Sequence, residues 1–134
     1  MSVIDISITG IFVQEADIPP PTSPQDQVPL REPTFYILLS LSAGPQHGYA
    51  IMKDVAFLSE GRTSLSTSTL YTALKRLLDL EWIGREEDPA QGENSRERKF
   101  YRLTEVGVQV LEAEVARLEG MLRAAQGRAL EGSS

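Results

Sequence analysis

Apolar positions recur at helical spacing in four stretches of the chain. Phe35, Leu38, Leu39 and Leu41 share one face of a short segment with Pro33 near its start and Gly44-Pro45 at its end, which predicts a first helix. After His47-Gly48-Tyr49-Ala50, the spacing of Ile51, Val55 and Leu58 predicts a second helix closed by Gly61, with Tyr49 in the core. The hydroxyl-rich run Ser64–Ser68 precedes a third. There Leu70, Ala73, Leu74, Leu77 and Leu78 face inward, and Tyr71, Thr72, Lys75, Arg76 and Asp79 are left at the side or outside. Ser66 or Thr67 suits its N-cap, where a side-chain oxygen accepts an otherwise unpaired backbone N–H.

Two strands are predicted next, Trp82–Glu86 and Lys99–Leu103, with Trp82 in the core and Lys99, Tyr101 and Leu103 on one face. The stretch between them, Asp88 to Ser95, is a loop by composition. Three helices followed by a hairpin is the order of a winged helix-turn-helix: mainly α, with a small β-hairpin wing. In the last segment Val108, Leu111, Val115, Leu118, Leu122, Ala125 and Ala129 are spaced 3, 4, 3, 4, 3, 4, the a/d repeat of a coiled-coil seam. A stripe so narrow on one long helix needs a partner surface, and a second copy of the chain is the expected one. Folding of the helix back onto its own domain is the alternative.

These elements divide the 134 residues into an N-terminal extension and Pro-rich linker (1–33), a winged helix-turn-helix (34–106) and a C-terminal dimerisation helix (107–130). In the extension Ile4, Ile6 and Ile8 alternate with polar residues, as in a short strand, before Pro19-Pro20-Pro21, Pro24, Pro29 and Pro33 forbid a continuous helix. The pattern reads as a tail and linker, and its role stays open.

The net charge of −6 is unevenly spread. Residues 1–30 carry Asp5, Glu15, Asp17 and Asp26 with no Lys or Arg, so four of the six excess negative charges sit there. Ser95–Arg102 holds Arg96, Arg98, Lys99 and Arg102 against Glu97 alone. Exposed charges act over a screening length of about 8 Å at physiological salt, so an acidic chain can still present a basic edge.

Composition narrows the chemistry further. The chain has no cysteine, which removes disulfides, thiolate nucleophiles and Cys-based zinc sites. The single histidine, His47, leaves a Ser-His-Asp arrangement arithmetically available but excludes a multi-His metal centre. No phosphate-cradling glycine loop, bilayer-length apolar run or secretory signal is visible. No catalytic residue, metal or cofactor is expected, nor a membrane partner, and the expected setting is the cytoplasm.

At this point five stretches together resemble the PadR family of bacterial transcriptional regulators. His47-Gly48-Tyr49-Ala50-Ile51 is similar to its H-G-Y-x-I motif, and Ser68-Thr69-Leu70-Tyr71 with Leu74 and Arg76-Leu77 to its recognition helix. Trp82-Ile83 sits where the family enters its wing, Arg98–Thr104 resembles the returning R-K-x-Y-x-L-T strand, and Glu105-Val106-Gly107 matches the following E-x-G. The resemblance covers roughly residues 34–125, and the single long last helix resembles the short C-terminal-helix subgroup. Ser68, Thr72 and Glu81 depart from the usual Gly, Pro and Gly. A Gly at position 81 would allow a left-handed helix cap, so Glu81 is expected to be strained there or to end the helix differently.

The resemblance implies a homodimeric, sequence-specific regulator, and a repressor on an inverted-repeat promoter operator in double-stranded DNA is the expected form. Ser66, Thr67, Ser68 and Thr69 would meet the major groove, with Tyr71, Lys75 and Arg76 on phosphate and Arg96, Arg98 and Lys99 at the wing. Each has a blander role to set beside this: capping for the hydroxyls, packing for Tyr71, an i,i+4 pair with Asp79 for Lys75, a solvated hairpin for the wing. Val108, Leu111, Val115, Leu118 and Leu122 would form the dimer seam. His47 is expected to be structural, hydrogen-bonding across the helix-turn-helix where Gly48 permits a tight turn. The final helix has no Trp, Tyr or Phe with which to stack a small-molecule effector, so none is supported. The competing class is a winged-helix interaction module that dimerises without reading DNA.

Overall fold

The computed structural model describes residues 24–87 and 99–133. A 3₁₀ turn, Pro24–Gln27, leads into helix α1, Glu32–Ser42, which starts two residues before the expected Thr34 because Pro33 fits its first turn. Strand β1, Gln46–His47, helix α2, Gly48–Leu58, and helix α3, Thr67–Asp79, follow. The chain then forms strands β2, Ile83–Glu87, and β3, Lys99–Leu103, and finishes in the long helix α4, Glu105–Ser133.

The sheet has three strands where the apolar pattern predicts two. Its order is β1-β3-β2, all antiparallel, with Gln46 opposite Tyr101, His47 opposite Phe100 and Ile83 opposite Leu103. Two residues are too short to show a period, so β1 left no trace in the hydrophobic pattern. It is held by the Gln46 amide, whose Nε2 donates to the Ser40 carbonyl at 2.7 Å and to Ser40 Oγ at 2.7 Å, and by the His47 ring stacked on Phe100 at 4.4 Å. The structural role expected of His47 thus takes the form of ring stacking inside the sheet.

One core joins the elements: Ile37, Leu38 and Leu41 of α1, Ile51 and Val55 of α2, Leu70, Leu74 and Leu77 of α3, Trp82, Ile83 and Tyr101 of the sheet, and Val110 and Leu111 of α4. Phe35, Leu58, Ala73 and Leu78 are only half-buried, at the margins of faces expected to be wholly inward. Tyr49, expected in the core, is instead 69% exposed. Its place inside belongs to Gly48, which is buried because the Tyr71 ring lies over it. A Cβ on Gly48 would run into the Tyr71 hydroxyl and meet Cζ at 2.9 Å. Gly48 therefore serves a close approach between helices rather than a turn.

Chain reversals account for the other special backbone positions. Beyond α2, Glu60 and Gly61 have φ of 55° and 83°, and the Gly61 N–H bonds the Ala56 carbonyl at 2.8 Å. At the end of α3, Glu81 has φ of 63°, its N–H bonds the Leu78 carbonyl at 3.0 Å, and the Trp82 N–H reaches back to Leu77 at 3.0 Å. This is a Schellman ending with glutamate in the left-handed position, so the strain expected of Glu81 is present. A left-handed non-glycine residue costs about 1–2 kcal/mol. Glu81→Gly is expected to stabilise the domain by about 1 kcal/mol, after glycine's larger unfolded-state entropy is deducted, which chemical denaturation measures.

Glu114 is the other unusual core position, a carboxylate only 2% exposed on α4. Arg117 donates to it twice, Nε to Oε1 at 2.8 Å and Nη2 to Oε2 at 2.9 Å, and the Leu30 N–H donates to Oε2 at 3.3 Å. Hydrogen bonding from Arg117 holds the Glu114 carboxyl below its ordinary range against the opposing effect of burial, with the Leu30 N–H and the Arg117 charge adding to the shift. A depressed carboxylate stabilises the fold fully above its unfolded-state pKa and loses that contribution as pH falls through the lower folded value. Glu114→Gln should cost about 1–3 kcal/mol near neutrality and flatten the loss of stability between about pH 5 and pH 2, as read by urea unfolding at a series of pH values.

Candidate nucleic-acid interface

Helix α3 is amphipathic because Leu70, Leu74 and Leu77 anchor one side in the core and leave the other outward. Its first turn presents Ser66, Thr67, Ser68 and Thr69, all exposed. Ser66 is the N-cap: its Oγ accepts the Thr69 N–H at 3.1 Å and lies 2.9 Å from Thr69 Oγ1 and 3.5 Å from Ser68 Oγ. One hydroxyl thus does the capping and organises two neighbours, leaving Thr67, Ser68 and Thr69 facing outward at the positive end of the helix dipole.

Of the two roles weighed for Tyr71, packing is the one the fold displays. Its ring covers Gly48 while the residue stays 39% exposed. Lys75 and Arg76 are exposed further along α3, and Lys75 Nζ lies 3.6 Å from Asp79 Oδ2. An exposed i,i+4 pair of this kind contributes about 0.3–0.5 kcal/mol, so Lys75 is readily released to another anion. At the wing, Lys99 is 3.8 Å from Glu87 on the opposite strand, and Arg102 is 3.9 Å from Glu86. Arg96 and Arg98 lie outside the described residues.

The fold also gathers groups that the sequence reading passed over. Arg85 on β2 lines a cleft of about 620 Å³ together with Tyr71, Lys75 and Tyr101, so it shares the sheet-side flank of α3 with Lys75. Tyr49 and Lys53 stand one turn apart on the exposed side of α2, with Lys53 Nζ 5.5 Å from the Tyr49 ring centroid. A basic strand residue with an outward alternating position is visible in sequence, but its nearness to α3 is not.

On α4 the seam residues separate. Leu111 is 7% exposed within the chain's own core, and Val115 is half-buried against it, where a partner surface was expected for both. Val108, Leu118 and Leu122 are 39%, 37% and 55% exposed, and Met121, outside the repeat, is 57% exposed. The first turns of α4 pack on the domain, and the rest projects beyond it. Among the described residues no cluster of His, Asp or Glu could hold a metal ion, and no helix is long and apolar enough to cross a membrane.

Three helices, a small antiparallel sheet and an exposed, hydroxyl-rich α3 define a winged helix-turn-helix protein. The model of the transcriptional regulator PadR-like family matches residues 37–113, more than half of the chain. The chain belongs to that family, whose members are transcriptional regulators and not enzymes. Solved structures agree with the fold. A PadR family transcription regulator from hypervirulent Clostridium difficile is 23% identical with a TM-score of 0.61, over 74% of this chain and 99% of that one. A transcriptional regulator from Clostridium thermocellum is 24% identical with a TM-score of 0.57, over 70% and 89%. Bacillus subtilis PadR, solved in complex with operator DNA, is 29% identical with a TM-score of 0.54, over 63% of this chain and 46% of that one. No curated protein sequence matches the chain.

Proposed function

We propose that the protein is a sequence-specific DNA-binding regulator, acting as a homodimeric repressor on an inverted-repeat operator. The observation that carries this reading is the start of α3, where three exposed hydroxyl residues surround a capped helix N-terminus, flanked by Tyr71, Lys75 and Arg76. Helix N-termini suit phosphate oxygens, and short hydroxyl side chains suit base edges in a groove wide enough for a helix. The DNA-bound structure of a family relative supports the same use of the fold. Arg85 and the Tyr49–Lys53 pair would extend the phosphate contacts to the sheet and to α2, and Lys99 would add to them at the wing, where Arg96 and Arg98, outside the described residues, are also expected to act.

Selection of random duplex DNA by the purified protein at about 150 mM salt tests this, since non-specific electrostatic binding is weakened there. The expected product is an inverted repeat with half-sites about 10 bp apart. Failure to enrich any sequence, with the protein folded and dimeric, would leave the interaction module as the better account. Within an enriched operator, Ser68→Ala with Thr69→Ala is expected to relax base preference by about 1–3 kcal/mol at the positions they face.

A further inference from the structure

One cavity of the domain is built jointly by the recognition helix and by the segment that precedes α1. It measures about 520 Å³ and has Leu30, Leu80 and Trp82 in its apolar lining, with Thr69, Arg31 and Arg76 as polar groups. Both of its charged lining residues are arginines. Several other cations near α3 and the sheet lie within 4 Å of a carboxylate, as in Lys75–Asp79, Lys99–Glu87, Arg102–Glu86 and Arg62–Glu32. Neither Arg31 nor Arg76 has an ion-pair partner among the described residues, although both line the same cavity. Two arginines without an ion-pair partner among the described residues, lining one cavity with Leu30, Leu80 and Trp82, suit a carboxylate attached to an apolar body.

We propose that this cavity is the docking site of the chain's own residues 1–23, which cover α3 and compete with DNA. Charge and connection single out this occupant. The segment carries Asp5, Glu15 and Asp17, no Lys or Arg, and apolar neighbours such as Val13, Ala16 and Ile18. It joins the described chain at Pro24, and residues 27–34 already form one wall of the cavity. From Asp17 to Pro24 is seven residues, a reach of up to about 24 Å, enough to return to that wall. A short tether makes docking intramolecular, with an effective concentration of order millimolar, so a weak contact suffices. Because Thr69 and Arg76 belong both to this cavity and to the proposed DNA-reading surface, docked tail and bound DNA exclude each other. The DNA half of the inference therefore rests on the proposed function. The docking half does not.

The absence of native cysteine allows a single label. A nitroxide on Gln14→Cys in the 134-residue chain should broaden the amide resonances of α3 near Thr69 to Arg76 and the Trp82 indole signal. Glu15→Gln with Asp17→Asn in the labelled chain, or about 1 M salt, should remove that broadening. The same two substitutions should tighten non-specific duplex binding at low salt by about 3–10-fold, as expected if the closed form holds about 70–90% of the molecules. No broadening of α3, or broadening that survives neutralisation of both carboxylates, overturns the proposal. Broadening that appears only when labelled and isotope-enriched chains are mixed overturns it as well, by placing the tail on another copy. If broadening behaves as expected and no DNA is bound at any salt, docking stands and the DNA reading is what fails.

Discussion

Gly107→Ala is expected to destabilise the domain by about 2–3 kcal/mol, a large fraction of the 5–15 kcal/mol that holds a typical domain together. A Cβ at this position would fall on the Trp82 carbonyl oxygen, with the Trp82 carbonyl carbon at 3.0 Å and Leu103 Cδ2 at 3.2 Å. Backbone cannot rotate away as a side chain can, so the first turn of α4 would have to lift off the strands. Three hydrogen bonds resist that movement. Thr104 Oγ1 donates to the Glu81 carbonyl at 2.7 Å and accepts the Gly107 N–H at 3.1 Å, while the Thr104 N–H donates to the Trp82 carbonyl at 3.0 Å. Gly107 has no left-handed backbone to serve, so alanine's better helix propensity works in the opposite direction and is worth only about 1 kcal/mol. Equilibrium unfolding in urea should show a lower midpoint. A midpoint equal to or above that of the native sequence would show that α4 can dock without this contact.

The same junction illustrates what was legible in the chain. Glu105-Val106-Gly107 is noticeable as a motif, but the reason for its glycine lies in a carbonyl some 25 residues earlier in sequence, which no local spacing reveals. Helix α3 was readable because a single apolar face with polar residues opposite allows one orientation only, and Ser66 is placed by the need of the first turn for an acceptor. Tyr49 was misplaced because an aromatic residue beside Ile51 looks like core, whereas the buried position at that turn is Gly48, covered by the Tyr71 ring. The α4 repeat marks a long helix but leaves its partner open. Val110, Leu111 and Glu114 face inward along its first turns, and a buried glutamate is invisible to any hydrophobic pattern until Arg117 and the Leu30 N–H are seen around it.

That division along α4 decides which substitutions can test assembly. Changing Leu111 would damage the chain's own core, but Leu118 and Leu122 lie beyond Val115, the last α4 residue packed against that core. Leu118→Glu with Leu122→Glu is therefore expected to leave the fold of the domain intact, as read by circular dichroism, while placing four carboxylates across the proposed two-fold seam. Desolvating or juxtaposing like charges there costs several kcal/mol, so light scattering at micromolar concentration should give a dimer for the native sequence and a monomer for the variant. Two recognition helices held on one scaffold engage an inverted repeat with a local concentration that a free monomer lacks. Operator affinity should accordingly fall by about 10²–10⁴-fold, with affinity for an isolated half-site little altered. A variant that stays dimeric would move the interface off the projecting part of α4. A monomeric variant that keeps full operator affinity would mean that each half-site is read independently, and the inverted repeat would lose its structural reason.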